Sequence, residues 1–214
     1  MKVKRRRTKA QNEALAYHEA GHVVAIGQLK KPEAVGYVTI EPDTFSEGHA
    51  HDKFCPDEKE FRKESESDLY GRLSFELEKE IVILLAGEAA QRRFKPHSVR
   101  SRQGMTDWAN AVSLIRYVTS YESENKAYFK WLIEWAKEFV KYHWPMIDDL
   151  AKELLRQSTI GGSELQAWFR HWTDNESNKA RIEGWQSDLQ HEEKRRSGDA
   201  LRKALAPAKS SMRA

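Results

Sequence analysis

Cysteine is almost missing from this chain of 214 residues, which holds one, Cys55. A lone cysteine excludes an intramolecular disulfide framework and any zinc site built from several thiolates, and it suits a reducing compartment. Long apolar runs are missing too. The longest, 81–87, falls far short of the ~18 residues that cross a bilayer, so no membrane span is expected. The basic N-terminus has no apolar stretch after it, so no secretory signal is expected and the cytoplasm is the expected home. There is no internal repeat. There is also no G-x-x-x-x-G-K-[ST] phosphate loop, which leaves the chain without a recognisable ATPase of its own.

A strong net charge is the next absence. Charged residues make up 32% of the chain and mean hydropathy is −0.79, yet the net charge is only +3. Lys2, Lys4, Arg5, Arg6, Arg7 and Lys9 carry six positive charges in the first ten residues, which leaves the remainder at a net −3. The body is therefore no basic nucleic-acid binder, and nucleic acid is an unexpected partner. The charge divides the chain into a basic arm at 1–9, a main domain at 10–172 and a charged appendage at 173–214. In the appendage only Ile182, Trp185 and Leu189 suggest a short amphipathic helix. This length suffices for one substantial core.

What is present is one stretch around which the rest is organised: Ala16-Tyr17-His18-Glu19-Ala20-Gly21-His22-Val23-Val24. It contains His-Glu-x-x-His. On a helix, positions i and i+4 share a face, so both imidazoles can reach one metal ion while Glu19 projects beside them. Zinc hydrolysis needs two neutral nitrogen ligands and a carboxylate to take a proton from an activated water. A helical setting is expected: Asn12 can cap it, 13–27 has no proline, and Leu15, Val23, Val24 and Ile26 supply apolar positions. The bland alternative is a surface helix whose histidines bond water or a backbone oxygen.

The rest reads as mainly α with a small β element. The 34–41 segment is β-branched or aromatic and predicts a strand. Gly48-His49-Ala50-His51 suggests a second, short strand with His49 and His51 on one face. With Cys55 nearby, that pair could form a second metal site, although such a pair is more often an exposed polar face. The 57–67 segment lacks a core pattern and reads as loop or a mobile helix. Leu69, Leu73, Leu77, Ile81, Leu84 and Leu85 recur at helical steps over 68–94. Small residues in Leu84-Leu85-Ala86-Gly87-Glu88-Ala89-Ala90 would let the motif helix approach closely. A further helix is expected from Asp107 with Thr106 as cap, and another over 126–142 burying Phe129, Leu132, Ile133, Ala136 and Phe139. A third is expected from Pro145 to a break at Gly161-Gly162. A last one is expected over 164–171, with Ser163 and Gln166 as a capping box.

A catalytic zinc needs a third protein ligand. The extended motif with a third histidine fails here, because Ala25 and Gln28 stand where it needs glycine and histidine. Spacing leaves Asp68, Glu80, Glu88, Asp107, Asp148 and the other histidines open. Asp107 has one argument in its favour: it opens a helix beside Gly104, where a carboxylate is electrostatically comfortable.

Four blocks resemble the peptidase domain of the FtsH-type ATP-dependent zinc metalloproteases. The zinc helix is similar to 16–22. Leu85-Ala86-Gly87-Glu88-Ala89-Ala90-Gln91 resembles the family's Leu-Ala-Gly-Arg-Ala-Ala-Glu, and Gly104-Met105-Thr106-Asp107-Trp108 with Ala111 resembles its Gly-Ala-Ser-Asn-Asp helix start. Leu154-Leu155-Arg156-Gln157-Ser158-Thr159-Ile160, with Glu164-Leu165 after it, resembles a late helix turn of that domain. The blocks stand in family order from Glu13 to Phe169. The resemblance implies a mostly helical domain in which His18, His22 and Asp107 bind Zn2+ and Glu19 is the base. Glu88 and Gln91 depart from the family's Arg and Glu, Gly104 is one residue closer to Asp107 than usual, and the ATPase part is missing.

The expected function is a zinc metallopeptidase that cleaves flexible or unfolded polypeptides without using ATP itself. Substrate would lie extended along a strand edge that includes Gly48, His49, Ala50 and His51. A homo-oligomer and a separate ATPase are possible partners. The rival expectation is a non-catalytic adaptor or regulator that keeps the fold.

Overall fold

The computed structural model describes residues 7–42, 48–53, 70–98, 105–117 and 122–205. Cys55, Asp68, Leu69, Gly104, Val118, the 57–67 segment and the first six residues of the basic arm lie outside these. Seven α-helices and three strands are described: α1 (Lys9–Leu29), β1 (Val35–Thr39), β2 (His49–Asp52), α2 (Tyr70–Phe94), α3 (Met105–Ile115), α4 (Glu122–Tyr142), α5 (Trp144–Gln157), β3 (Thr159–Gly161), α6 (Gly162–Asp174) and α7 (Glu176–Leu205). The fold is mainly helical with a small sheet, as expected. Among the described residues no helix is long and apolar enough to cross a membrane.

The motif helix α1 is the centre of the molecule. Residues Ala14 to Gly27 are all buried. A helix buried on every side has no polar face, which is why its apolar residues show no stripe. Its cap is Thr8 rather than Asn12: Gln11 N–H donates to Thr8 Oγ1 (3.3 Å) and Thr8 N–H donates back to Gln11 Oε1 (2.8 Å). This reciprocal pair satisfies two amides that the first turn leaves unbonded. Thr8 and Lys9 therefore open the helix, and Arg7 reaches the Ile40 carbonyl.

Helix α2 lies along α1. A Cβ on Gly21 would stand 2.6 Å from the Ala86 carbonyl oxygen and 2.8 Å from Ala90 Cβ. The small residues thus do what their composition predicts: they let two backbones approach until only hydrogen atoms fit between. Leu77, Ile81, Val82 and Leu85 are buried in the same core. On α4, Leu132, Ala136 and Phe139 are buried as expected, while Phe129 and Ile133 are only partly covered and pack at its margin.

The sheet has the order β2-β1-β3, antiparallel throughout. Val38 faces Ala50 on one side and Ile160 on the other. The third strand is a correction. Helix α5 ends at Gln157 with Ser158 as its cap, short of the glycine pair. Ser158 takes φ 65°, a left-handed value, as the chain leaves the helix. Its carbonyl accepts from Ile40 N–H at 2.9 Å, which steers the next residues into β3. Gly162 then packs on the Gly36 carbonyl, where a side chain would collide. Helix α6 begins at Gly162 with Gly161 as cap and no side-chain capping bond, so the expected Ser163–Gln166 box is not formed. Helix α3 begins at Met105, which puts Thr106 inside the first turn rather than at the cap.

Candidate metal centre

His18 and His22 project from α1 towards α2, and Asp107 reaches them from the first turn of α3. His18 Nε2 lies 3.1 Å from His22 Nε2 and 3.3 Å from Asp107 Oδ2, and His22 Nε2 lies 3.5 Å from that oxygen. Among the described residues this is the one group of three such side chains that could hold a metal ion. Of the other carboxylates that spacing left open, Glu80 joins Asp52 in a buried ion cluster on Lys30. Glu88 pairs with Arg92, and Asp148 accepts from Tyr17 O–H and Lys152.

The outer nitrogens fix the chemistry of the inner ones. His18 Nδ1 meets Gln91 Oε1 at 3.1 Å, and His22 Nδ1 meets the Ile83 carbonyl at 2.8 Å. Both partners only accept, so each Nδ1 carries the proton and each Nε2 presents a lone pair to the centre. Two lone pairs and a carboxylate oxygen then face one another across 3.1 to 3.5 Å with no donor among them. That arrangement needs a proton or a cation. A four-coordinate ion with bonds of ~2.0–2.1 Å has ligand–ligand edges of about 3.3 Å, so the triangle fits one.

The titration behaviour of the ion-free protein follows from the same crowding. Burial pulls the His22 imidazole down, but the Asp107 charge and hydrogen bond outweigh it and lift its pKa to about 9. Burial raises the Asp107 carboxyl, yet the His22 charge and the bonds from both histidines hold it far below the usual carboxylate range. Both shifts favour positive charge between these groups.

Glu19 lies next to this centre. It is buried, and burial raises its carboxyl pKa against the lowering charges of His18 and His22; the nearby Asp107 charge adds to the rise. The Ala50 backbone N–H donates to its carboxylate. A Cβ on Gly48 would come within 2.8 Å of Glu19 Oε1. Of Gly48, His49, Ala50 and His51, the residues expected to bind substrate, Gly48 and Ala50 are thus brought to Glu19. His49 and His51 are not: they are exposed on the other face of the strand, around Tyr37.

Gly87 and Ile83 were not singled out from the sequence as site residues, and Gln91 only as a departure from the family pattern. A Cβ on Gly87 would overlap the His22 imidazole. Ile83, Gly87 and Gln91 follow at four-residue steps, one stripe of α2. That spacing was the available signal.

The chain matches no protein-family model and no curated protein. The site is therefore described by its geometry alone: a helix-borne His-Glu-x-x-His with a distant aspartate, Asp107, beside both imidazoles.

Proposed function

We propose that the chain is a zinc-dependent metallopeptidase acting on flexible or unfolded polypeptides. The observation that carries this reading is the convergence of His18 Nε2, His22 Nε2 and Asp107 Oδ2 beside a buried Glu19. Two imidazoles and one carboxylate are a donor set suited to zinc and leave a fourth position for water. Zinc, when bound, supplies a Lewis acid that activates water and stabilises negative charge on the scissile carbonyl oxygen. His18 and His22 hold the ion through Nε2, kept in that tautomer by Gln91 and Ile83. Glu19, held by the Ala50 amide, takes the proton of the attacking water and returns it to the leaving amine.

Substrate lies extended beside β2, an edge strand of the described sheet. The domain takes chains that are already open or are delivered by a separate ATPase. We place it in the cytoplasm, where a lone thiol stays reduced. A homo-oligomer is compatible with this reading.

The test is Glu19→Gln, which keeps the shape and removes the base. The variant should retain its zinc and lose cleavage of an unfolded casein by at least ~100-fold. Equal cleavage by both proteins contradicts the mechanism. A wild type that holds zinc and cleaves nothing supports the non-catalytic adaptor instead.

A further inference from the structure

The outer face of the sheet carries a second histidine pair, which the candidate metal centre does not use. His49 and His51 stand two residues apart on β2, so their side chains leave the same face, and both are exposed. Their ring centroids are 6.2 Å apart. Tyr37 on β1 pairs with His51 in register and stacks on it at 5.3 Å, with its plane tilted by 8°. The same tyrosine ring lies 5.8 Å from His49. Gly36 completes the setting. A Cβ there would overlap His51 Nδ1, so that edge of the imidazole lies over bare backbone and Nε2 is the nitrogen presented to a ligand.

We propose that His49 and His51 chelate a second divalent transition ion of the zinc, nickel or copper type, with water completing its coordination. An ion bound at ~2.0–2.1 Å sits ~3.2 Å from each ring centroid, so two imidazoles on a tetrahedral ion are about 5 Å apart. His18 and His22, at the candidate centre, stand 4.7 Å apart. Bringing the outer pair from 6.2 Å to that spacing takes about 1 Å of ring movement. Imidazole donors select zinc, copper and nickel over magnesium or calcium. Two exposed ligands hold an ion less tightly than three buried ones.

The position gives the site its interest. Ala50 lies between the two histidines, and its N–H holds the Glu19 carboxylate. An ion bridging the residues on either side of Ala50 restrains the strand segment against which Glu19 is set. The binding itself does not rest on the peptidase reading and is measured without substrate.

Equilibrium dialysis of the full chain against zinc, with the metal counted by elemental analysis, tests this. Wild type should take up two equivalents, the second with an affinity at least ~100-fold weaker. A His49→Ala/His51→Ala double variant, altered only at exposed positions, should keep the tight equivalent and lose the weak one. Copper(II) added to zinc-loaded wild type should give an electron paramagnetic spectrum with imidazole nitrogen coupling that the double variant lacks. Uptake of a single equivalent by wild type overturns the proposal, as does survival of the weak equivalent in the double variant.

Discussion

In the proposed metal site, Gln91 is the residue that tunes His18 as a ligand. Its amide oxygen accepts the Nδ1 proton of His18 at 3.1 Å inside a side-chain environment that is almost fully buried. A neutral amide polarises the imidazole less than a carboxylate would, so His18 is a weaker donor than it could be. The resemblance set out above places a glutamate at this position. Restoring the charge by Gln91→Glu should tighten zinc binding about 10-fold in competition with a chelator. The same change should destabilise the metal-free protein, because the new carboxylate would be buried without a full counter-charge. An unchanged or weaker zinc affinity would mean that His18 is not a ligand.

Elements place these residues by how closely they pack. His18 and His22 ride on α1, while their outer hydrogen-bond partners, Gln91 and Ile83, belong to α2. The distance between the helices therefore sets the orientation of both rings. Gly21 is the contact that lets them close. Gly21→Ala should cost ~1–3 kcal/mol through overpacking against Ala86 and Ala90. It should also weaken zinc binding, which thermal melts with and without the metal would separate. A variant with wild-type stability and affinity would show that the helices do not govern the site.

Which elements were legible follows from the same packing. The helices α2, α4 and α5 repeat apolar residues at three and four positions, so their faces announce them. His18, Glu19 and His22 are legible because one helical turn holds all three. Asp107 is 85 positions beyond His22 by residue number, and only tertiary packing joins them. The strand β3 was hidden because three residues ending in Gly161 before Gly162 look like a break, while its pairing partner β1 is remote in sequence. Helix α7 was read too short because only a narrow stripe of it is apolar: Leu189 is buried and Ile182 packs against the core.

At the scale of the whole molecule, α7 is a brace and not part of the centre. Arg181 forms two bonds to Asp149 at 2.6 and 3.0 Å, and Trp185 Nε1–H donates to the Lys141 carbonyl at 2.7 Å. Arg93, near the end of α2, sits over the Trp144 and Trp185 rings at 5.0 and 5.4 Å. These contacts clamp the ends of α2, α4 and α5. Ending the chain after Asn175 should lower thermal stability by a few degrees or more while leaving zinc stoichiometry at the candidate centre unchanged. Loss of zinc from a truncated but folded protein would place α7 in the metal centre.

The meeting of two distant segments, α1 and α3, around one ion is the claim on which everything else rests. It is tested most directly by zinc content after dialysis against a chelator that strips weakly held metal, with wild type beside Asp107→Ala. One zinc per wild-type chain and almost none in a folded Asp107→Ala protein is the predicted result. A variant that keeps its full equivalent, or a wild type that holds none when zinc is supplied, would contradict it.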